Sequence, residues 1–358
     1  MTHLTSFSPF LIENGNIFFE KPAFRELVLS IAPQGAVLAD PKVIEKAASL
    51  QEALGPAFSL IPIFGGKSRA TKEALEDELF KKKLGRDCLL IGVGGGVVTD
   101  LVGYLASTYM RGVPLILVPT TLLAMVDAAI GGKNGIDTPF GKNLIGTFYI
   151  PKAIFIDLDF LQTLPEKEGS NGLAEILKYG LTLNPAIWER IEKNAAAWRE
   201  RENLEWLIRS SMEAKTKVVQ EDPQETKGFR RTLNFGHTVG HALELLSDFS
   251  IDHGQAVALG SMSESYLSHR LGFLSGDSLA RILALYRKLG FALKLPNRFS
   301  PSAFKEALAM DKKSKGNKPR CVLIDAIGSA VSFEGTYCRP IEEKEMDDLI
   351  HWMRTYGS

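Results

Sequence analysis

The sequence predicts two domains: an N-terminal α/β domain with a parallel sheet and a C-terminal domain that is mostly α-helical. The chain has 358 residues, which is enough for two hydrophobic cores. In the first 160 residues, short apolar runs alternate with segments of helical spacing, as in strands joined by crossover helices. After residue 161 the β-branched runs largely give way to long helical patterns. We therefore expect domains at 1–160 and 161–358.

Five apolar runs predict the strands of the N-terminal sheet. They lie at residues 36–40, 58–62, 88–93, 114–118 and 153–157. Because the runs are continuously apolar, both faces of each strand are predicted to be buried, as in a parallel sheet. The charged segment 71–84, between the second and third runs, has helical spacing.

Helical periodicity dominates the second half of the chain. The predicted helices cover residues 172–182, 187–198, 204–219, 238–247, 255–270 and 278–289. One late apolar run at 321–324 predicts a strand that packs back against them.

Charge and cysteine content favour a cytoplasmic protein of the size of an enzyme. The 42 basic and 42 acidic residues give a net charge of zero, so we expect neither nucleic acid nor membrane as a partner. The three cysteines, Cys88, Cys321 and Cys338, are far apart, which argues against a disulfide framework and fits a reducing compartment. The N-terminus lacks the pattern of a signal peptide. The apolar stretch 115–130 is too short to span a bilayer.

A glycine-rich loop at 92–100 follows a predicted strand and precedes a helix. Its backbone N–H groups and the helix N-terminus could bind a phosphate. It departs from the dinucleotide pattern GxGxxG, because Val97 replaces the third glycine and no acid follows between Asp100 and Asp127. The alternative is a tight turn between strand and helix. Asp40 could bind a ribose or could cap a helix.

A second run combines glycine, lysine and asparagine at 131–134 and 141–143. Lys133 and Lys142 could reach an anion as point charges from flexible backbone. The alternative is a solvated turn.

Histidines are concentrated in the stretch that begins at Arg230. His237 and His241 are four residues apart, so on a helix they share a face and could form a metal-binding pair. A structural histidine pair is the alternative. Glu175 and Lys178 also share a helix face, as an isolated surface ion pair would. With Glu175 and His253 available, a catalytic divalent site of three protein ligands becomes plausible.

Ten blocks of the chain together form a further pattern. They lie at 94–100, 109–112, 119–124, 127, 131–133, 141–143, 174–178, 233–238, 253–254 and 311–313. These blocks resemble the 3-dehydroquinate synthase family of sugar-phosphate cyclases. The blocks run in order across nearly the whole chain. The resemblance implies a Rossmann-like, NAD-binding domain at 1–160 and a metal- and substrate-binding helical domain at 161–358. It also implies a homodimeric enzyme that uses NAD and zinc or cobalt.

The same resemblance implies the reaction and its residues. The family converts 3-deoxy-D-arabino-heptulosonate 7-phosphate to 3-dehydroquinate and phosphate, through transient oxidation by NAD, elimination, re-reduction and aldol closure. The implied metal ligands are Glu175, His237 and His253. The implied catalytic residues are Asp127, Lys133, Asn143, Lys178 and His241. The implied residues that bind the substrate carboxylate are Lys215 and Arg230. Those implied to bind its phosphate are Lys133, Asn234, His241, one of Lys312 and Lys313 and, from a neighbouring subunit, Arg111. The implied NAD-binding residues are Asp40, Lys67, Gly95, Gly96, Val97, Asp100, Thr120, Thr121, Leu123, Asp127, Lys133, Lys142, Phe160, Thr163 and Leu164.

Three segments of the chain depart from the family pattern. The family usually has a glutamate that helps to hold the nucleotide near Lys67, and none stands beside the lysine here. Ala128 and Ala129 replace serines, and Gln255 replaces a glutamate. We expect altered NAD affinity with the chemistry retained.

Three other functions fit parts of the pattern. One is a cyclase that makes an inosose or an aminodehydroquinate. Another is a metal-dependent NAD alcohol or glycerol dehydrogenase, which would accumulate NADH, whereas a cyclase regenerates NAD in each turnover. The third is a non-catalytic relative that only binds nucleotide.

Overall fold

The computed structural model describes residues 10–13, 16–18, 24–292, 294–296, 298–309 and 318–356. The chain divides into two compact units, Met1–Gly169 and Ser170–Ser358. Lys312 and Lys313, the predicted phosphate contacts, lie outside the described residues.

Unit 1 is built on a seven-stranded sheet of order β2-β1-β9-β6-β5-β3-β4. The strands of this unit, including a separate hairpin of β7 and β8, are β1 (Phe10–Glu13), β2 (Asn16–Phe18), β3 (Gln34–Ala39), β4 (Phe58–Pro62), β5 (Cys88–Gly94), β6 (Leu115–Pro119), β7 (Lys133–Thr138), β8 (Gly141–Phe148) and β9 (Ala153–Ile156). The five strands from β9 to β4 are parallel and correspond to the five predicted runs. The predicted parallel sheet is therefore confirmed, and β1 and β2 extend it as antiparallel edge strands that the sequence does not predict.

Burial explains why the five apolar runs form the centre of the sheet. Every residue of β5 and of β6 is buried, as expected for strands covered on both faces. The helices of this unit are α1 (Phe24–Ile31), α2 (Ile44–Leu54), α3 (Arg69–Lys81) and α4 (Gly96–Thr108). Helix α4 begins two residues after β5 ends, so the glycine loop opens directly onto its N-terminus.

The second glycine run forms an antiparallel hairpin of β7 and β8 rather than a solvated turn. Gly131 and Gly132 enter it with φ of 101° and 66°, which side chains rarely adopt. At Gly146 an added Cβ would lie 2.0 Å from the carbonyl oxygen of Asn134. Glycine therefore permits the close approach of these two strands.

Unit 2 is mostly helical, which confirms the predicted class. Its helices are α5 (Glu166–Thr182, which begins in unit 1), α6 (Pro185–Lys193), α7 (Arg201–Glu221), α8 (His237–Leu246), α9 (His253–Arg270), α10 (Gly276–Lys288), α11 (Pro301–Ala309) and α12 (Glu343–Thr355). The predicted helix at 187–198 is wrong in its second half, because α6 ends at Lys193 and a short 3-10 helix, Ala195–Ala197, follows. The late apolar run is a strand only in part. It contributes to β10 (Arg320–Cys321) and β11 (Ile324–Ala326), which pair with β13 (Arg339–Pro340) and β12 (Ser329–Ala330).

Helix α9 is the buried centre of unit 2. Most of its residues from Gly254 to Ser268 are buried. Small residues let α8 approach it closely: a Cβ at Gly260 would lie 1.9 Å from the carbonyl oxygen of Gly236. Among the described residues, no helix has the length and apolar character needed to cross a membrane.

Candidate active site

Three helices of unit 2 bring Glu175, His237 and His253 together. Glu175 lies within α5, His237 is the first residue of α8, and His253 is the first residue of α9. One potential ligand atom from each residue lies within 4.8 Å of the others. His237 and His253, which lie 62 and 78 residues after Glu175 in the sequence, thus converge on its side chain.

Both imidazoles face the same carboxylate oxygen. Oε1 of Glu175 is 2.9 Å from Nε2 of His253 and 3.4 Å from Nε2 of His237. The Glu175 side chain is 0% exposed, whereas those of His237 and His253 are 12% and 29% exposed. The cluster is thus buried on the carboxylate side and accessible on the side of His253.

The three side chains shift one another's pKa. Burial favours the neutral form of Glu175, but the ammonium of Lys178 and the imidazole of His237 outweigh it and hold the pKa of Glu175 well below its usual value. Burial lowers the pKa of His237. Burial acts in the same direction on His253, yet the carboxylates of Glu175 and Glu244 outweigh it and raise its pKa.

The donor set suits a divalent metal ion. A carboxylate and two imidazoles are ligands of catalytic zinc, whose fourth position stays open to water or substrate. Nδ1 of His237 lies 3.1 Å from the carbonyl oxygen of Phe235. Because Nδ1–H can donate to that carbonyl, the lone pair of Nε2 is left to face Glu175. The residues present therefore fit a metal with one carboxylate and two nitrogen ligands.

His241 lies one helical turn beyond His237 and is exposed. The two rings meet edge to face, with centroids 5.3 Å apart. Among the described residues, the metal-ligand cluster contains His253 and not His241. The i, i+4 metal pair suggested by spacing is therefore not the observed cluster.

Lys178 is buried beside Glu175 rather than on the surface. Its Nζ contacts Oε2 of Glu175, with side chains 1% and 0% exposed. Nζ also lies 4.8 Å from the ring centroid of Tyr179. The alternative of a surface ion pair is wrong.

The predicted carboxylate-binding residues, Lys215 and Arg230, are buried in unit 2. Asp222 organises the loop that leads to Arg230, accepting backbone N–H groups of Thr226 at 2.8 Å, Lys227 at 3.0 Å and Arg230 at 3.2 Å. The guanidinium Nη1 of Arg230 donates to the carbonyl of Pro223.

Asn234, a predicted phosphate contact, ends the 3-10 helix Phe229–Asn234. Its Nδ2 lies 3.4 Å from Oε1 of Glu225. Glu225 is not predicted from the sequence, and its φ of 57° marks it as an unusual backbone position.

The glycine loop of unit 1 is tightly packed around the start of α4. An added Cβ at Gly94 would lie 2.5 Å from Cγ2 of Val98, and one at Gly95 would lie 3.1 Å from Cγ2 of Thr121. The N–H of Thr120 donates to the carbonyl of Gly94 over 3.0 Å. The structure thus brings together four of the predicted NAD-binding positions: Gly95, Gly96, Thr120 and Thr121.

Lys67 brings two other predicted residues together. Its Nζ donates to Oδ2 of Asp100 over 2.6 Å and to Oδ1 of Asn143. Asn143 has a φ of 54°, and its N–H donates to Oδ1 of Asp137 over 3.0 Å. Asp137 is a further member of this cluster that the sequence does not predict.

Asp40 has the capping role that sequence left open. Its Oδ1 accepts the N–H of Lys42 over 2.9 Å and caps the 3-10 helix Pro41–Val43. This places the carboxylate at the end of β3, in the sheet that also carries the glycine loop.

Asp127 lies in a short π-helix, Ala124–Ala128, which Leu123 precedes. Such single-turn π segments are frequent at functional sites.

Lys133 and Lys142 are exposed on the β7–β8 hairpin. Val97 is 47% exposed at the start of α4.

Phe160 and Thr163 belong to the 3-10 helix Leu158–Thr163, which Leu164 follows. Phe160 is buried, and Nζ of Lys46 lies 4.9 Å from its ring centroid. Thr163 is exposed.

Arg111 is exposed in a run of left-handed backbone. Met110, Arg111 and Gly112 have φ of 49°, 67° and 111°. Non-glycine residues rarely hold such angles unless the surrounding structure requires it, and they cluster at functional sites.

Three buried polar residues near the metal-ligand cluster escape the sequence analysis. Asn171 lies one turn before Glu175, and Glu244 lies seven residues after His237. Glu264 lies within α9. Oε2 of Glu244 is 3.6 Å from Nδ1 of His253. A helical wheel would have found Asn171 and Glu244, because both share a face with a predicted ligand. Glu264 offers no such signal.

Comparison with known proteins assigns the family. Models of the 3-dehydroquinate synthase N-terminal and C-terminal regions match residues 65–171 and 172–314. The chain is 42% identical over 265 residues to the 3-dehydroquinate synthase of Geobacter metallireducens, covering 73% of each chain. The chain belongs to the 3-dehydroquinate synthase family. A 3-dehydroquinate synthase from Corynebacterium diphtheriae is 40% identical over 86% of this chain and 87% of its own.

Solved structures of other cyclases share the fold of this 3-dehydroquinate synthase family member. A 2-deoxy-scyllo-inosose synthase, complexed with carbaglucose-6-phosphate, NAD+ and Co2+, matches with a TM-score of 0.84 and 25% identity, over 96% of this chain and 99% of its own. The 2-epi-5-epi-valiolone synthase of Streptomyces hygroscopicus, with NAD+ and Zn2+ bound, has a TM-score of 0.82 and 27% identity, over 93% and 95%. A probable glycerol dehydrogenase from Sinorhizobium meliloti, at 15% identity and a TM-score of 0.65 over 93% and 94%, shares the fold alone.

Proposed function

We propose that the protein converts 3-deoxy-D-arabino-heptulosonate 7-phosphate to 3-dehydroquinate and phosphate, in the shikimate route to aromatic amino acids. The observation that carries the proposal is the convergence of Glu175, His237 and His253 in a chain of this family. Relatives named 3-dehydroquinate synthase, at 40–44% identity, support the substrate.

The proposed cofactors are NAD and a zinc or cobalt ion. Two related cyclases contain NAD+ with Co2+ or Zn2+. The proposed ligands of the metal are Glu175, His237 and His253, whose donor atoms suit such an ion. When bound, the ion polarises the substrate hydroxyl that NAD oxidises.

The proposed NAD site is the glycine loop of unit 1. Close packing at Gly94 and Gly95 leaves the N-terminus of α4 as a site for a phosphate. Lys67 and Asp100 would lie near the nucleotide, as a pair already fixed by their own hydrogen bond.

The other residues of the chain have proposed roles in holding the substrate. Lys215 and Arg230 would bind its carboxylate. Asn234, His241 and Lys133 would bind its phosphate, together with Arg111 of the partner subunit and one of Lys312 and Lys313. Asp127, Asn143 and Lys178 would bind its hydroxyls and orient it for each step. The substrate carries a dianionic phosphate and a carboxylate, so a protein of zero net charge needs this local concentration of cations.

We extend the proposal to the organisation of the molecule. Residues 1–160 form the NAD-binding domain and residues 161–358 the metal- and substrate-binding domain. Arg111 is exposed, and we propose that it acts in the site of a partner subunit within a homodimer. The three buried cysteines form no disulfide among the described residues, which fits a location in the cytoplasm.

The test is turnover of the heptulosonate phosphate with NAD and zinc or cobalt. Phosphate release should match formation of 3-dehydroquinate, and NADH should not accumulate. Phosphate release without 3-dehydroquinate would contradict the proposal. Net accumulation of NADH would indicate a dehydrogenase.

A second candidate is a cyclase that acts on another sugar phosphate. The likeness to the 2-deoxy-scyllo-inosose and 2-epi-5-epi-valiolone synthases favours it. Identity to those proteins is 25–27%, against 40–44% to the 3-dehydroquinate synthases, so we rank it second. Turnover of an unbranched hexose phosphate in place of the heptulosonate phosphate would establish it.

A further inference from the structure

Both histidines of the metal-ligand cluster are the first residues of their helices. His237 begins α8 and His253 begins α9. The first N–H groups of an α-helix have no acceptor within the helix, so other groups must supply one. At the start of each helix, the glycine next to the histidine donates its N–H to a buried side chain of another helix. The two glycines are Gly236 and Gly254.

Glu264 holds the backbone that leads into His237. Its Oε2 accepts the N–H of Gly236 over 2.9 Å, and Glu264 is 0% exposed. Gly236 has a φ of 76° and lacks a side chain with which to cap α8. An added Cβ at Gly236 would lie 2.7 Å from the backbone nitrogen of Ser261 and 2.8 Å from the carbonyl oxygen of Val257. The entry to His237 is thus fixed by a hydrogen bond and by close packing.

Asn171 has the corresponding place at His253. Its Oδ1 accepts the N–H of Gly254 over 2.9 Å. An added Cβ at Gly254 would lie 2.5 Å from Cα of Asn171, so the two backbones are in close contact. Asn171 and Glu175 are one turn apart on α5. The helix that carries the carboxylate ligand therefore also holds the start of the helix that carries His253.

The two contacts link the three ligand-bearing helices in series. Helix α5 contributes Glu175 and, through Asn171, holds the start of α9. Helix α9 contributes His253 and, through Glu264, holds the start of α8 with His237. A shift of one helix would therefore move a histidine relative to Glu175.

We propose that Glu264 and Asn171 are positioning residues that set the two histidines for a divalent metal ion. The inference rests on the proposed metal centre. Glu264 differs in this respect from its neighbour Ser265, which is equally buried but donates to the carbonyl of Ser261 within its own helix over 2.7 Å. Ser265→Ala is therefore a matched control that removes a buried polar group without touching α8.

The experiment measures metal affinity directly. Metal-free protein is titrated with Co2+, followed by its visible absorption, and with Zn2+ in competition with a chromophoric chelator. Loss of an outer partner of a metal ligand typically weakens metal binding 10–100-fold. We expect Glu264→Ala to weaken binding by about tenfold or more and to change the cobalt spectrum. Glu264→Gln retains a side-chain oxygen that can accept the Gly236 N–H, so it should recover most of the affinity and the wild-type spectrum.

Each outcome decides the inference. Wild-type affinity in Glu264→Ala, equal losses in Glu264→Ala and Ser265→Ala, or a Gln variant as weak as the Ala variant would overturn it. If Glu264→Ala does not fold, Glu264→Gln still tests the role of the acceptor, and Asn171→Ala provides the same comparison for His253. Failure of the wild-type protein to bind metal would instead refute the proposed metal centre.

Discussion

Lys178 and Glu175 form an ion pair inside unit 2, with side chains 1% and 0% exposed. The two oxygens of Glu175 are divided between partners: Oε2 contacts the ammonium of Lys178, and Oε1 faces the two histidines. Lys178 therefore balances the charge of a proposed metal ligand before any metal is bound.

Replacing Lys178 with methionine should destabilise the metal-free protein. The change removes the lysine partner of a buried ion pair, for which losses of about 3–5 kcal/mol are usual. The pKa of Glu175 should also rise, because the charge of Lys178 is the largest influence that lowers it against the effect of burial. Urea denaturation in the presence of EDTA measures the change in the free energy of unfolding.

Zinc should restore part of the stability of Lys178→Met, since a divalent ion supplies positive charge at the same carboxylate. The control is Lys305→Met. Nζ of Lys305 is 2.6 Å from Oδ1 of Asp347, but the two side chains are 28% and 59% exposed. Exposed pairs contribute about 0–1 kcal/mol, so equal losses in the two variants would contradict a buried role for Lys178.

The histidines of α8 should separate metal binding from phosphate handling. His237→Ala should lose metal and activity together, because its Nε2 lies 3.4 Å from Oε1 of Glu175. Exposed His241 is outside the cluster, so His241→Ala should retain metal while weakening substrate binding. Metal content by atomic absorption, together with KM and kcat, tests both. An empty metal site in His241→Ala would refute this division of roles.

The sequence could predict those parts of the molecule whose signal is local. Continuous apolar runs predicted β5 and β6 because strands buried on both faces need apolar residues at every position. The β7–β8 hairpin gave no such signal, since it is rich in glycine, lysine and asparagine, which are depleted in strands. Tertiary context, not propensity, determines its pairing.

The candidate site shows the same limit. Spacing alone favoured His237 with His241, whereas the observed partner of Glu175 and His237 is His253, 78 residues from Glu175. The residues alone made His253 a candidate ligand, and the resemblance to the family selected it over His241. Asn171 and Gly254 are 83 residues apart, and nothing in their local sequences indicates that they meet.

Asp222 should make stability depend on pH in the acid range. Burial favours its neutral form, but the backbone N–H groups of Lys227, Arg230, Thr226 and Gly228 outweigh it and lower its pKa. A carboxyl whose pKa is lower in the folded state stabilises the fold above its unfolded pKa of about 3.9 and loses that contribution as pH falls through the folded value. Asp222→Asn should therefore be less stable by about 2 kcal/mol at pH 7, and the difference should shrink below about pH 4.

Urea midpoints of the wild-type protein and Asp222→Asn across that pH range provide the measurement. Asp348→Asn is the control, because Asp348 is 38% exposed and pairs with Arg270 at the surface. A difference between wild type and Asp222→Asn that stays constant with pH would refute the assignment to the ionised carboxyl.

Gly94→Ala should weaken NAD binding. The new Cβ would lie 2.5 Å from Cγ2 of Val98, and overpacking of this kind costs about 1–3 kcal/mol and displaces backbone. Displacement of the loop should raise the Kd for NAD on the order of tenfold, as measured by calorimetry. Gly66→Ala is the control, since no described atom lies within 4 Å of its added Cβ. Equal affinities in the two variants would refute a role of the loop in holding NAD.

Arg111 should complement a metal-site defect in a mixed dimer. Arg111→Ala and His237→Ala should each be nearly inactive. In the first variant, each subunit fails to supply the phosphate contact of its partner's site. In the second variant, each subunit lacks a ligand of its own metal. After subunit exchange, a mixed dimer has one complete site, made of an intact metal cluster and the Arg111 of the partner subunit. Random exchange should restore about a quarter of wild-type activity.

Mixing His237→Ala with Glu175→Ala is the control, since both changes lie in the same cluster and each partner still supplies Arg111. A mixed dimer restores neither defect, so no activity should appear. Absence of recovery with Arg111→Ala after exchange has been confirmed by mass spectrometry would place Arg111 in the site of its own subunit.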